Sequence, residues 1–197
     1  SLLCNLSMLG FFKYFNFFVA SFVSSFQFLG SSLNTPMLEI ILPVGISFYT
    51  FQSLGYSIDV YRGKLKPSRD PVEYFAYVSF FPQLVAGPIE RGTHFLPQFR
   101  IKKTAQYDLW VAGARLVLWG LFKKVAIADN CGPIVDQVFS ASHSCSSIAL
   151  WIGAILFSVQ IYCDFSGYSD IAIGVSKFFG FNLRQNFSSP YLSFNIR

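Results

Sequence analysis

The stretch that decides the fold is Ala149–Phe181, ALWIGAILFSVQIYCDFSGYSDIAIGVSKFFGF. It is long enough and apolar enough to cross a bilayer, where about 20 residues are needed. Yet Gln160, Asp164, Tyr168 and Asp170 lie inside it. A charged side chain at the centre of a membrane helix costs about 2.5–3.5 kcal/mol on insertion scales. An acid that survives there has either a partner or a function, and both readings are carried forward for Asp164 and Asp170.

Outward from this run the chain keeps the same character. It is 53% hydrophobic and 13% charged, with 24 Phe among 197 residues; a soluble domain carries about 25% charge. In lipid the backbone must satisfy its own hydrogen bonds, which leaves helices or a closed barrel. The apolar runs are too continuous for alternating barrel strands. An all-α, polytopic membrane fold is therefore expected, as a single membrane-embedded domain over residues 1–197.

The predicted spans are Leu2–Leu29, interrupted by Lys13, then Leu38–Ile58 with Pro43 and Gly45 inside it, and the run from Ala149. Tyr107–Ala128 is a further helix that either spans or lies at the interface. Between Arg62 and Glu73 the chain carries Arg62, Lys64, Lys66 and Arg69; between Arg91 and Lys103 it carries Arg91, Arg100, Lys102 and Lys103. Both segments read as cytoplasmic loops by the positive-inside rule. Tyr74–Ile89, broken by Pro82 and Gly87-Pro88, lies between them and is too short to span, which predicts a re-entrant hairpin. Asp129–Ser147 has no Lys or Arg and reads as an outer loop.

The net charge of +5 is accounted for by these loops, so nucleic acid is not an expected partner. The four cysteines show no CxxC spacing, and with His94 and His143 they assemble no recognised zinc pattern. No metal site and no bound cofactor are expected. His143 reads as a solvated outer-loop residue and His94 as part of a basic loop. If residues 162–179 form one helix, Asp164 and Tyr168 share a face, while Asp170 lies about 120° away, so the two acids are not a proton-sharing pair. If the helix breaks near Gly167, Asp164 becomes a cap. Around the Gly87-Pro88 turn, Gln83 stands on a broken apolar segment of the kind that lines substrate sites, while Glu90 and Arg91 read as solvated flanks or as part of that site. A transporter or channel would share these broken helices and intramembrane polar residues.

Three segments carry a family resemblance: ILPVGISFYTFQSLGYSIDVYRG (41–63), YFAYVSFFPQLVAGPIERGTHFLPQF (74–99) and IYCDFSGYSDIAIGVSKFFGFNLRQNFSSPY (161–191). Together they resemble the membrane-bound O-acyltransferases, in the branch of bacterial alginate O-acetyltransferases. The resemblance implies an enzyme of the bacterial inner membrane. It would move an acetyl group from a cytoplasmic donor, acetyl-CoA or an acyl carrier, onto hydroxyls of an exported polysaccharide, with accessory proteins on the outer side. It implies a chamber lined by Asp164 and Tyr168, with Gln83 and the Gly87-Pro88 turn near the donor path. It places the family's catalytic histidine just beyond Arg197, so residues 1–197 are expected to be a fragment, cut at both ends and inactive by itself.

Overall fold

The computed structural model describes residues 2–28, 43–84, 87–186 and 191. Among them there are helices and no strands. The chain divides into two compact units, one formed by residues 1–79 and 91–93, the other by 80–90 and 94–197.

The first unit opens with α1 (Leu2–Leu9), a π-helical segment (Gly10–Tyr14) and α2 (Phe15–Phe28). Residues Leu2–Phe26 are long and apolar enough to cross a membrane. Among the described residues Lys13 Nζ donates to Ser47 Oγ at 3.1 Å. Part of the second expected span, Leu38–Ile58, is described. Its helix, α3 (Ile46–Tyr61), starts only after Gly45, whose left-handed φ of 77° forms the turn that precedes it; residues 38–42 lie outside the described set. α4 (Pro71–Val78) begins where Asp70 Oδ1 accepts the Val72 N–H at 2.8 Å, an N-cap with proline at the first helical position. Polar groups tie these helices together. Asn5 Nδ2 donates to Ser53 Oγ, Ser53 Oγ meets Tyr74 OH at 2.7 Å, and Gln52 Nε2 donates to the Tyr77 carbonyl.

The second unit is organised around α8 (Ser147–Phe178), an unbroken helix through the decisive stretch. It is the other helix long and apolar enough to span. Ser146 Oγ caps its start. Its end is a Schellman motif: Gly180 at φ 73°, with Phe181 N–H bonded to the Ser176 carbonyl and Gly180 N–H to that of Lys177. Because α8 continues through Gly167, Asp164 is not a helix cap.

Antiparallel to α8 runs a second long helix: α6 (Tyr107–Leu121), a π-helical segment (Phe122–Ala128) and α7 (Asp129–Ser140). The expected outer loop after Asp129 is thus mostly helix. α7 carries Pro133 inside it, and the Asn130 side-chain amide donates to the Val125 and Ala126 carbonyls where π and α geometry meet. The two long helices touch through glycines spaced seven apart on each. Gly113 meets Gly174, and Gly120 meets Gly167. A Cβ at Gly120 would stand 2.5 Å from the Gly167 carbonyl oxygen, and one at Gly174 would stand 2.6 Å from that of Gly113. Small residues let membrane helices approach this closely, where packing replaces the hydrophobic drive.

Within the second unit, the segment after α4 is broken near its prolines: a 3-10 turn at Phe81–Gln83, and irregular backbone over residues 87–90. The expected basic loop at Arg91–Lys103 contains a helix, α5 (Gly92–Phe99). Its apolar face supplies the reason: Phe95 and Phe99 pack with Phe80 and Phe181 at centroid distances of 4.8–6.1 Å, and Phe95 is fully buried.

Candidate functional site

Both acids of α8 have cationic partners, and the partners are adjacent residues. Lys123 Nζ lies 2.6 Å from Asp170 Oδ2 and 2.9 Å from Ser166 Oγ. Lys124 Nζ lies 2.6 Å from Asp164 and 2.7 Å from Asp129. These lysines sit in the π segment, whose wider turn lets two successive side chains both reach α8. π insertions of this kind are frequent at functional sites. Each pair lowers the cost of holding a carboxylate on an apolar helix. The acids engage different lysines, in keeping with their separation around α8.

Asp164 and Tyr168 lie one turn apart on α8 and line a small groove of about 210 Å3 with Ile161 and Phe165. The Lys124 ammonium stands 5.8 Å from the centroid of the Tyr168 ring. Gln83, Gly87 and Pro88 are buried elsewhere in the unit. Gly87 packs on Gln83, and a Cβ there would meet Gln83 Cα at 3.1 Å and Ala172 Cβ of α8 at 3.4 Å. The groove lining does not include these three residues. Gln83 is 3% exposed, and neither atom of its amide has a hydrogen-bond partner among the described residues. A buried unsatisfied amide costs about 1–3 kcal/mol.

A larger cleft, about 450 Å3, lies beside the last turns of α8. His94, Asp170, Lys177, Asn182, Arg184 and Gln185 line it over an apolar floor of Leu116, Ile173 and Leu183. Sequence reasoning did not find this site, because Glu90 and His94 read as loop residues. In the structure Glu90 is buried and binds His94 Nδ1 through Oε2 at 3.0 Å. Its Oε1 accepts the backbone N–H of Arg184. Gln98 clamps the same passing segment, donating to the Asn182 carbonyl at 2.9 Å and accepting its N–H at 2.8 Å. Outside this cleft, Lys103 stacks 4.6 Å from the Phe181 ring centroid, and burial lowers its pKa from the ordinary lysine value. The signal available beforehand was only the four-residue spacing of Glu90 and His94; Glu90 lies on the irregular backbone just before α5.

Residues 68–195 match the sequence profile described as "MBOAT, membrane-bound O-acyltransferase family". The chain belongs to this family. Among curated relatives, a probable alginate O-acetylase of Azotobacter vinelandii is 42% identical over 192 residues, 98% of this chain and 38% of its own length. A peptidoglycan O-acetyltransferase of Helicobacter pylori is 38% identical, covering all of this chain and 41% of its own length. A teichoic acid D-alanyltransferase of Bacillus subtilis is 27% identical over 82% of this chain and 42% of its own length. The chain thus spans about two fifths of these relatives. The transporter reading has no counterpart among these three relatives, whose descriptions are of O-acetyl and D-alanyl transfer. The profile match runs across both compact units and includes Gln83, Gly87, Pro88, Glu90, His94, Asp164, Tyr168 and Asp170.

Proposed function

We propose that this chain is part of a multi-pass O-acyltransferase of the bacterial inner membrane. It would carry acetyl groups from a cytoplasmic donor to hydroxyls of an exported polysaccharide such as alginate. The observation that carries the reading is the 42% identity to an alginate O-acetylase across nearly the whole chain, together with the family match. The intramembrane acids fit it: a transfer chamber in a bilayer needs polar walls whose charges are compensated, and Lys123 and Lys124 compensate Asp170 and Asp164. The proposed chamber residues are Asp164, Tyr168, Gln83, Gly87 and Pro88, and residues 1–197 are proposed to be part of one membrane domain. Acetyl-CoA or an acyl carrier supplies the acetyl group, and accessory acetylation proteins act on the outer side.

The test is deletion of the gene in its host, followed by NMR of the exported glycans. Loss of acetyl esters, restored by the full-length gene, supports the proposal; unchanged acetylation refutes it. A second acceptor is favoured by the Helicobacter relative, which matches the entire chain. Loss of acetyl esters from peptidoglycan rather than from a secreted polyuronate would select it.

A further inference from the structure

The Glu90–His94 pair is a preorganised acid–base device. The Glu90 side chain is 0% exposed, whereas that of His94 is 30% exposed and lines the 450 Å3 cleft. An ionised carboxylate only accepts hydrogen bonds, so the 3.0 Å contact makes Nδ1 the donor. Nε2 is then the nitrogen left for the cleft, a lone pair in the neutral ring and an N–H in the imidazolium. Neighbouring residues fix the ring: Phe95 is locked in the aromatic cluster, and Gln98, one turn on, holds Asn182. The charged groups facing His94 across the cleft are Asp170, Lys177 and Arg184. Asp170 is paired with Lys123. The Lys177 and Arg184 side chains have no ion-pair partner among the described residues, so they favour negative charge appearing in the cleft.

We infer that His94, oriented by Glu90, is the general acid that protonates the leaving sulfur of an acyl thioester donor. The inference rests on the acyltransferase reading. The bond between acyl carbon and sulfur breaks with its electron pair going to sulfur, while the acceptor oxygen bonds to the acyl carbon. The acceptor hydroxyl gives its proton to a general base supplied elsewhere in the full-length protein. His94 passes its Nε2 proton to sulfur, yielding the free thiol, and water reprotonates the ring. Lys177 and Arg184 stabilise the sulfur's charge before that transfer. These cations, with the basic run after Arg91, mark the cytoplasmic end by the positive-inside rule, where a cytoplasmic donor's thiol is released.

The test uses the full-length protein in membranes and two acetyl thioesters, one of an alkyl thiol and one of a far more acidic aryl thiol. In His94→Gln, transfer from the alkyl donor falls on the order of 10²-fold, the usual contribution of general acid–base catalysis. Transfer from the aryl donor falls several-fold at most, because its weakly basic thiolate leaves unassisted. The ratio between donors is taken within one preparation, so a smaller folded fraction does not change it. Glu90→Gln, a positioning variant, shifts the pH profile of alkyl transfer and spares the aryl rate. Equal losses with both donors in His94→Gln, or no loss with either, overturn the assignment to His94. An unchanged pH profile in Glu90→Gln overturns the positioning role. A wild-type protein that transfers from neither donor defeats the acyltransferase reading instead.

Discussion

Replacing Gly120 by alanine tests the helix pairing that positions both lysines and both acids. The added Cβ would lie 2.5 Å from the Gly167 carbonyl oxygen, 2.7 Å from Ile171 Cγ1 and 3.0 Å from the Ile171 backbone nitrogen. Ordinary contact begins at 3.4 Å, so the closest approach is short by about 0.9 Å. Two of these three neighbours are backbone atoms and cannot rotate away, so α6 and α8 must separate. Overpacking of this kind costs about 1–3 kcal/mol. For a chain of this size that is a fall in Tm of about 2–12 °C. Gly167→Ala strikes the same crossing from the other side. The double variant should therefore cost less than the sum of the singles, since one separation relieves both clashes. Gly55→Ala is the control: it lies within α3 with nothing within 4 Å of its added Cβ. Alanine there should stabilise by about 0.5–1 kcal/mol from helix propensity. Thermal unfolding in detergent, followed by circular dichroism, reads all four variants. A Gly120→Ala protein as stable as Gly55→Ala would refute the close-packed pairing.

Three further predictions concern the polar groups. Asp170→Asn removes one partner of a pair whose side chains are only 13% and 16% exposed, leaving Lys123 uncompensated. It should destabilise by about 3–5 kcal/mol, with Lys123→Met/Asp170→Leu recovering most of the loss in the same unfolding assay. Asp164→Asn and Tyr168→Phe in the full-length protein should each lower acetyl transfer without lowering its amount in membranes; full activity in both would remove them from the chamber. Gln83→Leu separates binding from packing. It removes a buried amide that has no partner among the described residues, so stability should hold or rise by about 1 kcal/mol. If Gln83 contacts a substrate, transfer measured on the same preparation falls, whereas unchanged transfer assigns it to packing.

Much of the second unit was legible in its sequence. The length and apolarity of Ala149–Phe181 predicted a long helix there, which ends at Phe178, and Pro82 with Gly87-Pro88 predicted the break after α4. The helical period also separated Asp164 from Asp170 correctly. What the sequence hid depended on contacts across helices. The pairing of Lys123 and Lys124 with α8 was among these, because a π turn leaves no mark in an apolar pattern. Asp129–Ser140 read as part of an outer loop, although it is helix and the Asn130 amide binds the carbonyls just before it. Glu90 read as a flank because its burial comes from α5 and from the segment after Gly180, which is distant in sequence. The seven-residue spacing of Gly113 with Gly120, and of Gly167 with Gly174, was visible all along; only the matching of the two pairs gives it meaning.

The central claim is acyl transfer to a glycan hydroxyl within the membrane. Its most direct test is reconstitution of the full-length protein in vesicles, with a labelled acetyl thioester on the cytoplasmic side and a polyuronate or peptidoglycan acceptor on the other. The account predicts label in alkali-labile acetyl esters on the acceptor, formed only with the protein present. Thioester left intact, with no ester on either glycan in the presence of the accessory proteins, would contradict it.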